Sequence, residues 1–142
     1  MLLDGKSVRS GLSKELDYSP TDRAEHMRRV AHLCKLMNDQ GILVICSFVS
    51  PDESIRDQVK EIIGPNNFKL IYINADIDFC RKNDQYSIYI KADEGKLKYL
   101  PGVDMQYDIP KFTSLVLDAM KKDENILDNR FTLKKELMLK NT

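Results

Sequence analysis

The chain opens Met1-Leu2-Leu3-Asp4-Gly5-Lys6-Ser7-Val8-Arg9-Ser10-Gly11-Leu12 and continues to Tyr18-Ser19-Pro20-Thr21-Asp22-Arg23. An apolar run stops abruptly at an acid and a glycine, and two arginines follow. This reads as a buried strand whose carboxyl end delivers an acid and two cations to one crevice. In open α/β sheets that edge is where ligands bind. An acid can hold a metal or orient a hydroxyl, and arginine clamps phosphate or sulfate in bidentate fashion. The combination points to an anionic ligand. Residues 1–3 by themselves are too short to form a first strand with neighbours of their own.

Moving outward, Ser19-Pro20 starts a helix, with serine at the N-cap, proline at the first helical position and Asp22 at the third. Met27, Val30, Ala31, Cys34 and Met37 then recur at helical spacing, and Gly41 ends the run. Ile42-Leu43-Val44-Ile45-Cys46-Ser47-Phe48 is continuous and apolar, which predicts a strand buried on both faces, as in a parallel sheet. Ser50-Pro51 predicts the start of a helix reaching residue 63, before the turn Gly64-Pro65-Asn66-Asn67. A strand is expected over 68–75, helical segments over 77–83 and 87–94, and a short strand over 115–118. Between them, 95–110 is a long loop with two prolines, of the kind used as lids or binding loops. An amphipathic helix is expected over 129–139. Strand alternating with helix predicts an α/β fold with a parallel sheet.

At 142 residues the chain is expected to form one domain, 1–142, and 42% hydrophobic residues suffice for a core. The formal net charge is zero, so nothing argues for nucleic acid as a partner. The apolar runs are far shorter than a membrane span, and charges at Asp4 and Lys6 interrupt any signal-peptide core. Cys34, Cys46 and Cys80 lack metal-ligand spacing and are expected to be buried reduced thiols, which favours a cytoplasmic location.

The ordered motifs carry a family resemblance. Asp4-Gly5-x-x-Val8-Arg9-x-Gly11-Leu12 is followed by Tyr18-Ser19-Pro20-x-Asp22-Arg23-x-Glu25-x-x-Arg28-Arg29, then Val49-Ser50-Pro51 and Arg56-Asp57. Tyr89-x-Lys91-Ala92, Gly102-x-Asp104-x-x-Tyr107 and Leu115-Val116-Leu117-Asp118 complete the set over residues 1–118. Together they resemble the adenylyl-sulfate kinases, P-loop enzymes that phosphorylate the 3′-hydroxyl of adenosine 5′-phosphosulfate with ATP and Mg2+. The resemblance implies a parallel-sheet, three-layer P-loop kinase-like fold, a role in sulfate assimilation, a nucleotide substrate and a homodimer.

The family pattern also has a first strand, a Gly-x-x-Gly-x-Gly-Lys-Ser/Thr loop and a helix before its Asp-Gly motif. No Gly-x-x-x-x-Gly-Lys-Ser/Thr occurs in these 142 residues. The backbone cradle, the lysine and the metal-holding hydroxyl for ATP phosphates are therefore missing. A truncated or mis-started reading frame is the favoured explanation; completion by another segment, such as a partner subunit, is the other. Efficient ATP turnover is not expected.

By the resemblance, Asp4 is the catalytic acid and the candidate metal contact. The family reads Asp-Gly-Asp-Asn there, and Lys6 and Ser7 replace its last two residues. The plain alternative is that Asp4 caps a turn. Arg9 and Arg23 match substrate contacts; Arg28 and Arg29 lie on the same helix, where one could face the site and the other solvent. His26 stands at the place of a family asparagine. Tyr18 matches the aromatic stacked on the substrate adenine, whereas its partner phenylalanine is Leu100 here, with Tyr99 beside it. Val49 and Ser50 match substrate contacts at a helix start, where backbone N–H groups suit an anion; the plain role for Ser50 is the N-cap. Lys91 matches a lysine that reaches the substrate. The family's lid arginine is absent from Asn83-Asp84-Gln85-Tyr86-Ser87, leaving Lys82 as the nearest substitute, and Met105-Gln106 replaces a Ser-Pro.

Two other readings remain open. One is a same-fold kinase for another nucleotide, such as a cytidine diphosphate derivative, in keeping with Lys6, His26, Leu100 and the altered lid. The other is a non-catalytic nucleotide-binding module, in keeping with the missing P-loop.

Overall fold

A computed structural model describes residues 1–121 and 134–135. The chain divides into two compact units, Met1–Lys69 with Tyr86–Lys111, and Leu70–Gln85 with Phe112–Thr142.

The first unit is built on a parallel strand pair. Strand β1 (Leu2–Asp4) aligns with β2 (Ile45–Ser47) in the register Leu2 to Ile45, Leu3 to Cys46 and Asp4 to Ser47. The first three residues thus do contribute to a paired strand, against the expectation drawn from their length. A parallel pair needs a long crossover, and two helices supply it. Helix α1 (Gly5–Arg9) follows β1 directly, and α2 (Pro20–Asp39) returns the chain to β2.

Local chemistry fixes these elements. The Ser19 hydroxyl accepts from the Asp22 N–H at 3.3 Å, Pro20 takes the first helical position, and Gly41 leaves α2 at φ 77°, a conformation that favours glycine. On α2, Met27, Val30, Ala31 and Cys34 are buried and Met37 is half-buried. The four buried residues form the core with Ile55, Val59 and Ile63 of α3 (Glu53–Ile63) and with Leu3 and Val8. Each large apolar side chain buried there contributes about 1.5–3 kcal/mol.

Three further expectations are corrected in this unit. The segment 42–48 is not buried on both faces: Ile42, Leu43 and Ile45 are exposed, because β1 is the strand paired with β2 and the core packs on α2 and α3. Helix α3 begins at Glu53 rather than at Ser50-Pro51. Its N-cap is Asp52, whose carboxylate accepts from the Ile55 N–H at 3.1 Å. Ser50 sits instead in the left-handed region at φ 41°. Among the thiols, Cys34 is buried, but Cys46 is exposed and Cys80 half-buried.

In the second unit, β3 (Ile71–Asn74) pairs in parallel with β4 (Leu115–Asp118), Ile71 opposite Leu115 and Asn74 opposite Asp118. Helix α4 (Ile77–Lys82) is capped by Asp76, which accepts from the Phe79 N–H at 2.6 Å. Helix α5 (Ile88–Asp93) belongs to the first unit. The loop expected over 95–110 has only an isolated bridge, Pro101 to Met105. Apart from Lys134 and Lys135, which are helical, the helix expected over 129–139 lies outside the described residues. No described helix is long and apolar enough to cross a membrane.

Candidate functional site

All nine residues singled out as site candidates fall in the first unit. Three of them form a stack. Arg9 ends α1, and its guanidinium lies 4.5 Å from the centre of the Tyr18 ring. Arg23, on the first turn of α2, lies 5.7 Å from the same ring. An aromatic face attracts both cations, and Tyr18 remains half exposed, at 50%.

The two arginines are held differently. Arg9 donates through Nη1 to the carbonyls of Leu16 and Asp17, at 3.1 and 2.8 Å. Those bonds fold the α1–α2 connection back over the arginine. Arg23 is 9% exposed and donates through Nη2 to the Tyr99 carbonyl at 2.8 Å. Its Nε is buried without a hydrogen-bond partner. Burial, with the Arg9 charge adding to it, pulls the Arg23 pKa down. This concentration of positive charge suits an anion.

His26 lies one helical turn after Arg23 and is 2% exposed. Its ring is tilted against Phe48 at 5.5 Å, and neither ring nitrogen has a hydrogen-bond partner. Burial, then the charges of Arg9, Arg23 and Arg29, depress its pKa from 6.5 to about 4. The imidazole is neutral at pH 7, with one N–H to donate and one nitrogen to accept. Arg28 and Arg29 both clamp Glu25, whose pKa these bonds hold at about 2. Arg29 also donates to the Leu12 carbonyl at 2.8 Å and pairs with Glu15, so it fastens the α1–α2 connection.

Leu100 is half-buried beside Tyr99 in the loop that Arg23 grips. The Asp104 carboxylate accepts from the N–H groups of Tyr99 and Leu100, at 2.7 and 2.6 Å, and these bonds lower its pKa. Tyr99 adopts φ 60°, a strained value for an aromatic residue, held by that double bond. Val49 is exposed, and the Ser50 hydroxyl reaches only the Met27 sulfur, at 3.9 Å. The start of α3 is not open to an anion: the Glu53 N–H donates to Asp108 at 3.1 Å. Arg56, 5% exposed, donates to the carbonyls of Ser50 and Asp108 and pairs with Glu53, tying the segment after β2 to the loop.

Asp4 is the N-cap of α1. It accepts from the Ser7 N–H at 2.9 Å and from the Ser7 hydroxyl at 2.7 Å. These bonds lower its pKa, so it is an ionised carboxylate. Lys91, on α5, donates to the Tyr86 carbonyl at 3.2 Å. Among the described residues, no hydrogen bond or ion pair joins Asp4, Val49 or Lys91 to the Arg9–Tyr18–Arg23 stack. Lys82 ends α4 in the second unit. As for a metal, Asp4 is one carboxylate with lone pairs left on both oxygens. Among the described residues no three His, Cys, Asp or Glu side chains gather to cage an ion. A cation fits here only as Mg2+ does when phosphate oxygens and water complete its shell.

Sequence reasoning gave no role to Phe48, to the Tyr99 carbonyl as the acceptor of Arg23, to Asp104 or to Arg56. The pairs Arg56-Asp57 and Asp104-x-x-Tyr107 were signals, because they belong to the ordered motifs.

The chain is similar to known proteins in sequence and in fold. Residues 1–118 match the family model described as adenylylsulphate kinase. The adenylyl-sulfate kinase of Bacillus velezensis is 41% identical over 121 residues, 85% of this chain and 61% of that protein. The probable adenylyl-sulfate kinase of Bacillus subtilis is 36% identical over 130 residues, 92% of this chain and 66% of its own length. The chain thus spans about three fifths to two thirds of these curated relatives. Among solved structures, the Mycobacterium tuberculosis APS kinase CysC in complex with AMPPNP and APS superposes with a TM-score of 0.84 at 29% identity. That match covers 94% of this chain and 79% of the other.

Proposed function

The chain belongs to the adenylylsulphate kinase family, and on that premise we propose that it carries the acceptor half of an adenylyl-sulfate kinase site. The acceptor is adenosine 5′-phosphosulfate, and the family reaction is ATP-dependent phosphorylation of its 3′-hydroxyl. One observation carries the reading. Two arginines flank an exposed tyrosine face, and the buried Arg23 Nε and both His26 nitrogens lack partners. Buried polar groups are normally satisfied, and an anionic nucleotide offers what these lack.

In this reading the adenine lies on Tyr18 and packs against Leu100. Arg9 and Arg23 take the phosphosulfate, His26 adds a neutral hydrogen bond, and Val49, Ser50 and Lys91 line the remaining approach. Asp4 stands near the acceptor hydroxyl, as proton acceptor or as a contact to the cation. Mg2+ carried on ATP would neutralise phosphate charge during transfer. These residues contain no Gly-rich cradle for ATP, so donor binding and turnover by the chain alone are low. A homodimer and a cytoplasmic location accompany the proposal by family likeness.

Calorimetric titration of the folded chain with adenosine 5′-phosphosulfate, ADP and ATP–Mg2+ tests it. Saturable binding of the phosphosulfate, lost in Arg23→Gln, supports the acceptor site. A folded chain that binds none of the three sinks it. A second reading, a kinase for a cytidine diphosphate derivative, is favoured by Leu100, which packs where a phenylalanine would stack. Preference for that nucleotide in the same titration would establish it.

A further inference from the structure

Apart from the anion site, one side-chain pair is placed for chemistry of its own. Cys34 lies on the buried face of α2 and Cys46 at the centre of β2, and their sulfurs stand 3.4 Å apart as free thiols. A disulfide needs about 2.05 Å, so closure asks for roughly 1.4 Å of approach. The two sulfurs differ in access. Cys46 is exposed, whereas Cys34 is buried. An oxidant therefore meets Cys46 first, and Cys34 is positioned behind it to resolve the adduct. In their contact the Cys46 S–H faces the Cys34 sulfur, which pulls the Cys34 pKa down and pushes that of Cys46 up.

We propose that Cys34 and Cys46 form a reversible thiol–disulfide site, closed by a low-molecular-weight disulfide such as oxidised glutathione. Cys46 attacks one sulfur of the reagent as its proton passes to the Cys34 thiolate 3.4 Å away. The reagent S–S bond breaks, a mixed disulfide forms, and one thiolate leaves with the electron pair. Cys34 then loses its proton and attacks the Cys46 Sγ, and the second thiolate leaves. Two cysteine thiols are oxidised by two electrons, one reagent disulfide is reduced to two thiols, and the two protons end on those thiols.

The bond would tie α2 to β2 next to the candidate site. Cys46 pairs in register with Leu3, and the chain two residues later is Phe48, which lies against His26. Linking the two elements restricts the unfolded chain, so the closed form unfolds at higher temperature.

The test treats the full chain with oxidised glutathione, then follows intact mass, cross-linked peptides and thermal unfolding, before and after dithiothreitol. The expected result is loss of two hydrogens, one cross-link between Cys34 and Cys46 with Cys80 outside it, a raised midpoint, and reversal on reduction. Cys46→Ser, an exposed substitution, abolishes the cross-link. Cys34→Ala stops at a stable glutathione adduct on Cys46. A wild-type chain that also stops at that adduct, stays fully reduced, or cross-links through Cys80 overturns the proposal.

Discussion

The Arg23 guanidinium donates to the carbonyl of Tyr99 at 2.8 Å, so α2 holds a loop residue 76 positions further along the chain. The bond is charge-assisted and nearly out of water, and such bonds contribute about 1.5–3 kcal/mol. Arg23→Gln should therefore loosen the loop without unfolding the unit. Amide exchange at Tyr99 and Leu100 is expected to quicken by at least about tenfold, the equivalent of 1.4 kcal/mol. Unchanged exchange there would show that Asp104 alone holds the turn.

Arg9 and Arg23 also repel one another across the Tyr18 ring. An anion that binds between them should stabilise the fold, by about 1.4 kcal/mol at ten times its Kd. Scanning thermal unfolding against adenosine 5′-phosphosulfate should show a rising midpoint that Arg9→Gln and Arg23→Gln each suppress. An equal rise in both variants would place the anion elsewhere.

His26 predicts a pH effect of definite sign. Its folded pKa, about 4, lies below the ordinary 6.5. The unfolded chain thus binds a proton in a range where the folded one does not. The stability this neutral histidine contributes is complete above pH 6.5 and lost as pH falls from 6.5 toward 4. The loss is at most about 3 kcal/mol. Glu25, held at about 2 against an ordinary 4.5, begins to lose its own contribution only below pH 4.5, so the range from 6.5 to 4.5 reports His26. Chemical denaturation of wild type and His26→Asn at several pH values checks this, and an identical slope in the variant would sink it.

Asp4 can have its two roles separated. Asp4→Ala removes the cap from α1 and should lower the midpoint of unfolding. Asp4→Asn keeps a capping oxygen and removes the charge, so stability should hold. Any loss of cation-dependent nucleotide binding in Asp4→Asn then reports the charge alone.

Arg56 is the most exacting position outside the anion site. Truncation to Ala leaves Glu53 and the carbonyls of Ser50 and Asp108 without their shared donor. Breaking a buried pair from one side costs about 3–5 kcal/mol. Urea denaturation should show a loss of that size, with Arg56→Lys only partly restoring it, since an ammonium cannot span three acceptors as a planar fork does.

The long helix was legible because two signals agreed: Ser19-Pro20 at its start and a buried stripe at helical spacing through Cys34. Strand 115–118 and helix 77–82 were readable for similar local reasons. Helix α1 was not, since five residues are too few for periodicity, and Asp4 reads equally well as an acid at a strand end and as a cap. The start of α3 misled because Ser50-Pro51 imitates a cap, while Ser50 turns left-handed with its carbonyl bonded by Arg56 and Asp52 is the cap. The clustering of Arg9, Tyr18 and Arg23 followed from their closeness in sequence. The grips of Arg23 on Tyr99 and Arg56 on Asp108 did not, because they join segments far apart in the chain, where no local pattern speaks.

The register of β1 on β2 has a consequence for how such a chain can change over generations. Asp4 and Ser47 leave the sheet side by side. Added or deleted residues in the loops between them are absorbed without moving either one. A single residue gained inside either strand would shift one partner against the other and turn every following side chain to the opposite face. Diversification is thereby channelled into the connections, and the spacing of acid and turn is inherited as a unit.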